Sequence, residues 1–231
     1  MEGEARAFAG SSGSRGVGRV ARVFLLSPAR LGGKRAGMVL RPGASFDLAR
    51  RLQDGGATLG EVMTFVSGLY FRGKVAYARA FAAPPPGAIG ALVILPQGGL
   101  ASIDQPVSRD ELADQGARDI DAADPIYRDG LLAAARRLVG ALGPGAEVVL
   151  LGSIATDRYC GPLIEALGDQ LCFPAAFVGR GDNSRGGLML RAAASGDELD
   201  YIPVAGATRT GPRPPRLPRL ARPSQAAARR R

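Results

Sequence analysis

The chain begins its first long apolar run with VARVFLL, residues 20–26, and follows it with the polar loop SPARLGGKR, residues 27–35. The same change from apolar to polar recurs in GALVILPQGG, residues 90–99, and in VVLLGSIATD, residues 148–157. Short runs rich in Val, Ile and Leu, separated by helical stretches, are typical of buried parallel strands. We therefore predict an α/β fold with a mostly parallel central sheet flanked by helices, and a ligand crevice formed by the loops that follow the strands.

Length and composition indicate one folded domain with two unstructured ends. The chain has 231 residues, of which 46% are apolar, and this is enough to form a substantial core. We predict a disordered N-terminal segment at residues 1–19, an α/β domain at residues 20–208 and a disordered Pro/Arg-rich tail at residues 209–231. No apolar run is long enough for a signal core or a membrane span, so the expected location is the cytoplasm.

The net charge of +9 comes almost wholly from the tail. Residues 209–231 contain eight arginines and no acidic residue, whereas residues 22–208 contain 19 basic and 19 acidic residues. The high charge therefore describes the tail and does not predict a basic face on the folded domain. Such a tail could bind phosphate backbones without reading their sequence, remain a solvated extension, or dock onto a partner protein through its Pro-Arg repeats.

Two residue types restrict the chemistry. The sequence contains no histidine, which excludes Ser-His-Asp and Cys-His catalysis and histidine metal ligation. Cys160 and Cys172 have the spacing of neither a disulfide framework nor a zinc motif, and we expect both to be buried structural thiols. Any catalysis must use carboxylates, Lys, Tyr, Ser, Thr or backbone amides. No motif points to a particular cofactor, metal site or oligomeric state.

Helical periodicity fills the stretch between the first two strands. Ser45 is the expected N-cap of a helix over residues 46–53, and a second helical stretch covers residues 59–81. Gly68 and Gly73 interrupt this second stretch, and a glycine costs a helix interior about 1 kcal/mol. We therefore expect either a bend or a place where the backbone approaches another element closely.

Acidic residues cluster after the second strand. Most of them fit helix starts and solvent-facing positions, and Asp124-Pro125 is expected to begin a helix. Asp119, Asp121 and Asp124 are the ones that could carry chemistry. We select Asp121 as a candidate catalytic residue, because a carboxylate can be the nucleophile or general base in a chain without histidine.

The loop after the third strand is placed to bind an anion. Ser153 and Thr156 lie between this strand and a helix that begins near Arg158, so their hydroxyls and the exposed amides would face the crevice. The alternative is that Thr156 or Asp157 simply caps the helix. Neither a Walker loop nor a Gly-x-Gly-x-x-Gly dinucleotide motif is present.

A second polar segment, residues 177–187, contains four glycines. We predict that it forms a loop in close contact with a ligand and that an apolar strand follows at residues 188–190. Its ligand-binding candidates are Arg180, Ser184 and Arg185. Asp182 is the second candidate catalytic residue. The alternative is a tight turn with a solvated Arg-Asp pair.

Four short motifs follow one another along the chain: SPAR at residues 27–30, RGKVAY at 72–77, LGSIATDRY at 151–159 and SRGG at 184–187. They resemble Ser-Pro-Ala-Lys, Lys-Gly-Asp-x-Tyr, Ala-Ser-x-Glu-Tyr and Ala-Arg-Gly, which the bacterial peroxide stress resistance protein family carries in the same order. Residues 95–121 also resemble the uracil-glycosylase-like domain of archaeosine-forming transglycosylases. Both resemblances imply a shared α/β fold and a preference for nucleic acids or nucleobases. The first also implies a link to DNA binding and to protection from iron-driven oxidative damage.

The resulting hypothesis is a nucleic-acid- or nucleotide-associated protein whose crevice binds a phosphate and a base. The candidate phosphate contacts are Arg30, Lys34, Arg72, Lys74, Arg180 and Arg185. Tyr77 and Tyr159 are the candidate stacking surfaces, and the hydroxyls of Ser27, Ser153, Thr156 and Ser184 complete the ligand-binding set. The expected partner is a nucleic acid or a nucleotide, and not a membrane.

The alternative hypothesis is a small-molecule enzyme of glycosidase-like or hydrolytic activity. Its substrate would be a nucleoside or a phosphorylated metabolite, and Asp121 or Asp182 would be the base or the nucleophile.

Overall fold

The computed structural model describes residues 20–218, so the disorder predicted for residues 1–19 and 219–231 concerns residues outside the described part of the chain. The strands of its main sheet are β1 (Arg22–Leu26), β3 (Ala91–Ile94), β4 (Leu100–Ser102), β6 (Glu147–Leu151), β7 (Leu171–Pro174) and β8 (Tyr201–Pro203). They are ordered β4-β3-β1-β6-β7-β8, and β2 (Ala57–Thr58) pairs with β5 (Pro106–Val107) in a second, two-stranded sheet.

The four central strands of the main sheet are parallel. β1 pairs with β3 on one side and with β6 on the other, and β6 pairs with β7. The edge strands β4 and β8 run antiparallel to their neighbours. Residues 23–26 and 148–151 have no exposed surface, which explains why these strands are uninterrupted apolar runs. The predicted α/β class with a mostly parallel sheet is confirmed.

Eight helices connect the strands of the described region: α1 (Lys34–Leu40), α2 (Asp47–Gln53), α3 (Leu59–Ser67), α4 (Leu69–Phe81), α5 (Arg109–Gly116), α6 (Pro125–Leu142), α7 (Asp157–Leu167) and α8 (Asp182–Ser195). Local chemistry sets their starts. Thr58 and Glu61 form a capping box at α3, and Asp124 accepts a hydrogen bond from the Ile126 amide at 2.9 Å, with Pro125 in the first position of α6. Within residues 20–218, no helix combines the length and the apolarity needed to cross a membrane.

Gly68 and Gly73 have different structural roles. Gly68 separates α3 from α4 with a φ of 62°, a conformation that favours glycine. Gly73 lies inside α4, where a Cβ would be 2.6 Å from the carbonyl oxygen of Gly186 in α8. A Cβ on Gly186 would in turn be 2.7 Å from the Leu69 carbonyl oxygen. The expected bend and the expected close approach are therefore both present.

The prediction for residues 177–190 is wrong. A short 3-10 turn, Ala175–Phe177, leads within a few residues into α8, and the expected strand at residues 188–190 is part of that helix. Position 186 is a glycine because α8 crosses α4 there and no side chain would fit. The glycines of this segment suggested a loop, but in the structure Gly186 belongs to the contact between α4 and α8.

Two smaller expectations also differ from the structure. α2 begins at Asp47 with Phe46 in the N-cap position and no side-chain cap, so Ser45 is not its N-cap. The loop predicted for residues 27–35 is shorter than expected, because α1 begins at Lys34.

Residues 209–218, the first part of the predicted tail, lie against the domain. Arg209 forms an ion pair of 2.8 Å with Asp157 at the start of α7. Gly179 has a φ of 70°, and a Cβ at this position would overlap the carbonyl oxygen of Pro212. This part of the tail therefore packs on specific groups of the folded body.

Both cysteines are free and buried, as expected. Burial raises the pKa of the Cys160 thiol and of the Cys172 thiol above the ordinary value. Each is therefore a neutral thiol at physiological pH.

Candidate functional site

The sheet reverses its direction of winding between β1 and β6. From β1 the chain moves to β3 on one side, then returns past β1 to β6 and continues to β7 on the other side. Ser27 follows β1 and Gly152 follows β6, so these two residues flank the point of reversal. Ligands of open α/β sheets bind outside the carboxyl ends of the strands at such a point.

A crevice of about 860 Å³ opens at this position. Its walls are formed by residues 28–33 after β1, by Met63 in α3, by Pro96 after β3, by residues 115–116 and 118–121 around the end of α5, and by Arg158 and Tyr159 in α7. The charged lining residues are Arg30, Arg118, Asp119, Asp121 and Arg158. All five are exposed, and the volume lies in the usual range of small-molecule sites.

A buried polar cluster adjoins the crevice at Ser27. Lys74, in the middle of α4, is only 1% exposed. Its Nζ lies 2.8 Å from the Ser27 carbonyl oxygen and 2.7 Å from Ser27 Oγ. The same Nζ lies 4.0 Å from the centre of the Tyr70 ring. These contacts hold the Lys74 amine against the residue that follows β1.

Burial controls the charge of Lys74. It lowers the pKa of the amine to about 7, because the charged form loses its hydration. The carboxylate of Asp182 acts in the opposite direction, and the guanidinium of Arg185 lowers the pKa further. At neutral pH the amine is therefore divided between its charged and neutral forms.

Arg185 and Tyr70 complete the cluster. The Arg185 guanidinium donates two hydrogen bonds to the Phe177 carbonyl oxygen, at 3.1 and 3.2 Å, and lies 3.9 Å from the Asp182 carboxylate. The Tyr70 hydroxyl is buried and has no hydrogen-bond partner among residues 20–218. Burial raises the pKa of Tyr70 to about 12, so its hydroxyl stays protonated.

Tyr159 connects the crevice to the cluster. It lines the crevice, although only 8% of its surface is exposed. Burial raises the pKa of the Tyr159 hydroxyl, and the nearby Ser27 side chain acts weakly in the opposite direction.

The predicted site residues fall into three groups. Those that line the crevice are Arg30, Asp121 and Tyr159. Those in or beside the buried cluster are Ser27, Lys74, Asp182 and Arg185. Those outside the crevice lining are Lys34, Arg72, Tyr77, Ser153, Thr156, Arg180 and Ser184. The charged groups of Lys74 and Arg185 are directed at protein partners, Ser27 and Phe177, rather than at the crevice.

Tyr77 is a core residue and cannot serve as the stacking surface that we expected. It has no exposed surface, and its ring lies edge-on to Phe24 with 5.6 Å between the ring centroids. Its hydroxyl lies 2.6 Å from the Tyr201 hydroxyl and accepts a hydrogen bond from the Leu199 amide at 2.9 Å. The ring of Tyr201 stacks under Arg22, so this group is at the amino end of β1, opposite the crevice.

Arg118 and Arg158 are two of the three arginines in the crevice, and the sequence analysis did not select them. Arg118 lies two residues after the end of α5, and Arg158 is the second residue of α7. Nothing in their local sequence distinguishes them from other surface arginines. Their positions next to Asp119 and Tyr159, which the sequence analysis did select, were the available indication.

The described residues contain no group of three or more Cys, Asp or Glu side chains that could hold a metal ion. Comparisons of the chain with protein-family models, with curated proteins and with solved structures find no match.

Proposed function

We propose that the crevice binds a nucleotide through its phosphate and its base. The observation that supports this proposal is the presence of Arg30, Arg118 and Arg158 around one crevice of about 860 Å³. The planar guanidinium group matches the geometry of phosphate oxygens and forms paired, charge-assisted hydrogen bonds with them. A site at the reversal point of a parallel sheet is also the usual position for nucleotides in this class of fold.

The rest of the lining suits the base and the sugar. Pro28, Leu31 and Ile120 are partly exposed and provide apolar surface. Asp119 and Asp121 can accept hydrogen bonds from ring amino groups or ribose hydroxyls, which inorganic phosphate lacks. The crevice therefore favours a nucleotide over a simple anion.

Calorimetric titration of the full chain tests the proposal. The ligands are the four nucleoside 5′-monophosphates, ribose 5-phosphate, inorganic phosphate and a short single-stranded oligonucleotide. We expect at least one monophosphate to bind more tightly than ribose 5-phosphate and inorganic phosphate. Arg158→Ala should weaken its binding about tenfold or more, because a hydrogen bond to a charged group contributes about 1.5–3 kcal/mol.

The matched control is Arg137→Ala. Arg137 is also an exposed arginine, but it lies on α6, about 18 Å along the helix axis from the start of that helix. Its loss removes the same charge without changing the crevice. Equal weakening by the two variants, or equal binding of all phosphates, would show that the crevice is not a nucleotide site.

Binding of the oligonucleotide alone, with an affinity that falls steeply with salt, would point to the arginine-rich tail instead. The role in DNA protection that the resemblance implies stays a prediction.

A further inference from the structure

Nucleotide binding in the crevice leaves the buried pair Ser27 and Lys74 without a role. A serine hydroxyl becomes a nucleophile when a neighbouring base takes its proton, and a desolvated lysine is one of the bases that serve this purpose. Ser27 Oγ lies 2.7 Å from Lys74 Nζ, within hydrogen-bond distance. Ser27 also follows directly after the central strand β1 and directly precedes Pro28 of the crevice wall.

The hydrogen bonds of the Lys74 amine are satisfied in both protonation states. In the neutral state, the amine donates one hydrogen to the Ser27 carbonyl oxygen at 2.8 Å and offers its lone pair to the Ser27 hydroxyl. In the charged state, it donates to both oxygens of Ser27, and its charge lies over the Tyr70 ring. A proton can therefore move between Ser27 and Lys74 without a backbone rearrangement.

The ionisable groups around this amine come from three helices. Tyr70 belongs to α4, Asp182 and Arg185 to α8, and Tyr159 to α7. Asp182 favours the charged amine, whereas burial and Arg185 disfavour it, and the pKa of Lys74 lies near 7 as a result. The neutral amine that a general base requires is thus available at physiological pH.

The loop after β6 packs closely against Ser27. Gly152, after β6, has no side chain, and a Cβ there would lie 3.0 Å from Ser27 Cβ and 3.1 Å from Ser27 Oγ. Any other residue would crowd this hydroxyl. The glycine at position 152 therefore leaves the Ser27 hydroxyl uncrowded on this side.

An acyl carbonyl suits this position better than a phosphoryl group. The exposed arginines that would stabilise a reacting phosphoryl group line the crevice, and Arg185, whose charge acts on the Lys74 amine, donates to the Phe177 carbonyl oxygen. The reacting centre at Ser27 is therefore expected to be uncharged, whereas the anionic part of the substrate lies in the crevice.

We propose that Ser27 is the nucleophile and Lys74 the general base in the hydrolysis of an acyl ester whose alcohol part carries a phosphate. Ser27 Oγ forms a bond to the acyl carbon, Lys74 Nζ takes the hydroxyl proton, and the ester C–O bond breaks as the leaving alcohol receives that proton. A water molecule then gives a proton to Lys74 and attacks the acyl-serine. This attack releases the carboxylic acid, and the proton returns to Ser27. The phosphate-bearing part of the substrate rests on the proposed nucleotide function, whereas the nucleophile does not.

The test uses the full chain and an alkyl fluorophosphonate, which transfers its phosphonyl group to activated serines with loss of fluoride. We expect mass spectrometry to locate the adduct on Ser27, and Ser27→Ala to abolish it. The labelling rate should rise with pH around a midpoint near 7. Lys74→Met should lower the rate about 100-fold or more, which is the usual contribution of a general base.

Arg79→Met is the matched control, because Arg79 is an exposed cation on the same helix and lies outside the crevice lining. It should label at the wild-type rate. The absence of an adduct, an adduct on another serine, or a wild-type rate in folded Lys74→Met would overturn the proposal. If Lys74→Met does not fold, the wild-type pH profile decides, and a flat profile between pH 5 and about 9 overturns the proposal.

Nucleotide protection separates this proposal from the previous one. If nucleotides slow the labelling of Ser27, the result supports both proposals. If Ser27 is labelled but no nucleotide changes the rate, the result supports Ser27 as the nucleophile and contradicts the proposed nucleotide function.

Discussion

Gly73 of α4 and Gly186 of α8 lie so close that a Cβ on Gly73 would be 2.6 Å from the Gly186 carbonyl oxygen. Their neighbours in the sequence, Lys74 and Arg185, are both buried at this crossing. The two glycines therefore set the distance at which the Lys74 amine meets the charged groups of α8.

Gly73→Ala should destabilise the fold by about 1–3 kcal/mol, because the new methyl group meets backbone that cannot move without separating the helices. Urea unfolding measures this loss. The control is Gly140→Ala in α6, where a Cβ would meet nothing within 4 Å. That variant should leave the free energy of unfolding unchanged or raise it by up to about 1 kcal/mol. A similar loss in both variants would mean that the helix crossing is not the cause.

Lys74→Met should remove a pH dependence of stability. The pKa of Lys74 is about 7 in the folded protein and about 10.4 in an unfolded chain. Between these values the unfolded state binds more protons, so the free energy of unfolding of the wild type should rise with pH, by up to about 1.4 kcal/mol per pH unit.

Urea unfolding at several pH values between 7 and about 9.5 measures this slope. The raised pKa values of the buried thiols and phenols act in the opposite direction at high pH. They are common to both proteins, so the difference between wild type and variant isolates Lys74. Parallel curves for the two proteins would mean that Lys74 is charged throughout this range.

Arg22 should contribute more to stability than a surface arginine does. It pairs with Glu147 and with Glu198, each at 2.6 Å, and only 15% of its side chain is exposed. Arg22→Met leaves two partly buried carboxylates without their partner and should cost about 2 kcal/mol or more in thermal or urea unfolding.

Arg79→Met provides the comparison. Arg79 pairs with Asp104 at the surface, where both side chains are more than half exposed, and its loss should cost less than about 1 kcal/mol. If the two variants lose the same stability, the network at the amino end of β1 has no special role.

Deletion of residues 219–231 should reduce the salt dependence of nucleic-acid binding. These residues include five of the eight arginines of the tail. Each phosphate contact that is lost lowers the slope of log K against log salt by about 0.7 for a single strand. Binding isotherms at several salt concentrations measure the slope, and nucleoside monophosphate binding in the crevice is the internal control. An unchanged slope would exclude residues 219–231 as the polymer contact.

The central sheet could be predicted because the local sequence of its strands is enough to identify them. The runs that became β1, β3 and β6 are apolar at every buried position, and Asp124-Pro125 marks the start of α6 by capping chemistry alone. Residues 182–190 were mispredicted because the glycines of α8 contact a partner helix about one hundred residues earlier in the chain. Short-range patterns cannot distinguish a glycine required by a contact from one required by a turn.

The site was predictable only in part, for the same reason. Arg30 and Tyr159 follow or begin recognisable elements, so position alone placed them at the crevice. Arg118 is brought there by the packing of α5, which no local pattern specifies. The contact of Lys74 with Ser27 joins residues 47 positions apart and depends on the path of α4 beneath β1.

The buried thiols have a consequence for how this protein would respond to oxidants. The thiolate is the form of cysteine that reacts with peroxide, and burial raises the pKa of both Cys160 and Cys172 while limiting access to them. The chain has no other cysteine. Any part that this protein takes in peroxide defence would therefore depend on what it binds or hydrolyses, and not on redox sensing by its own sulfur atoms.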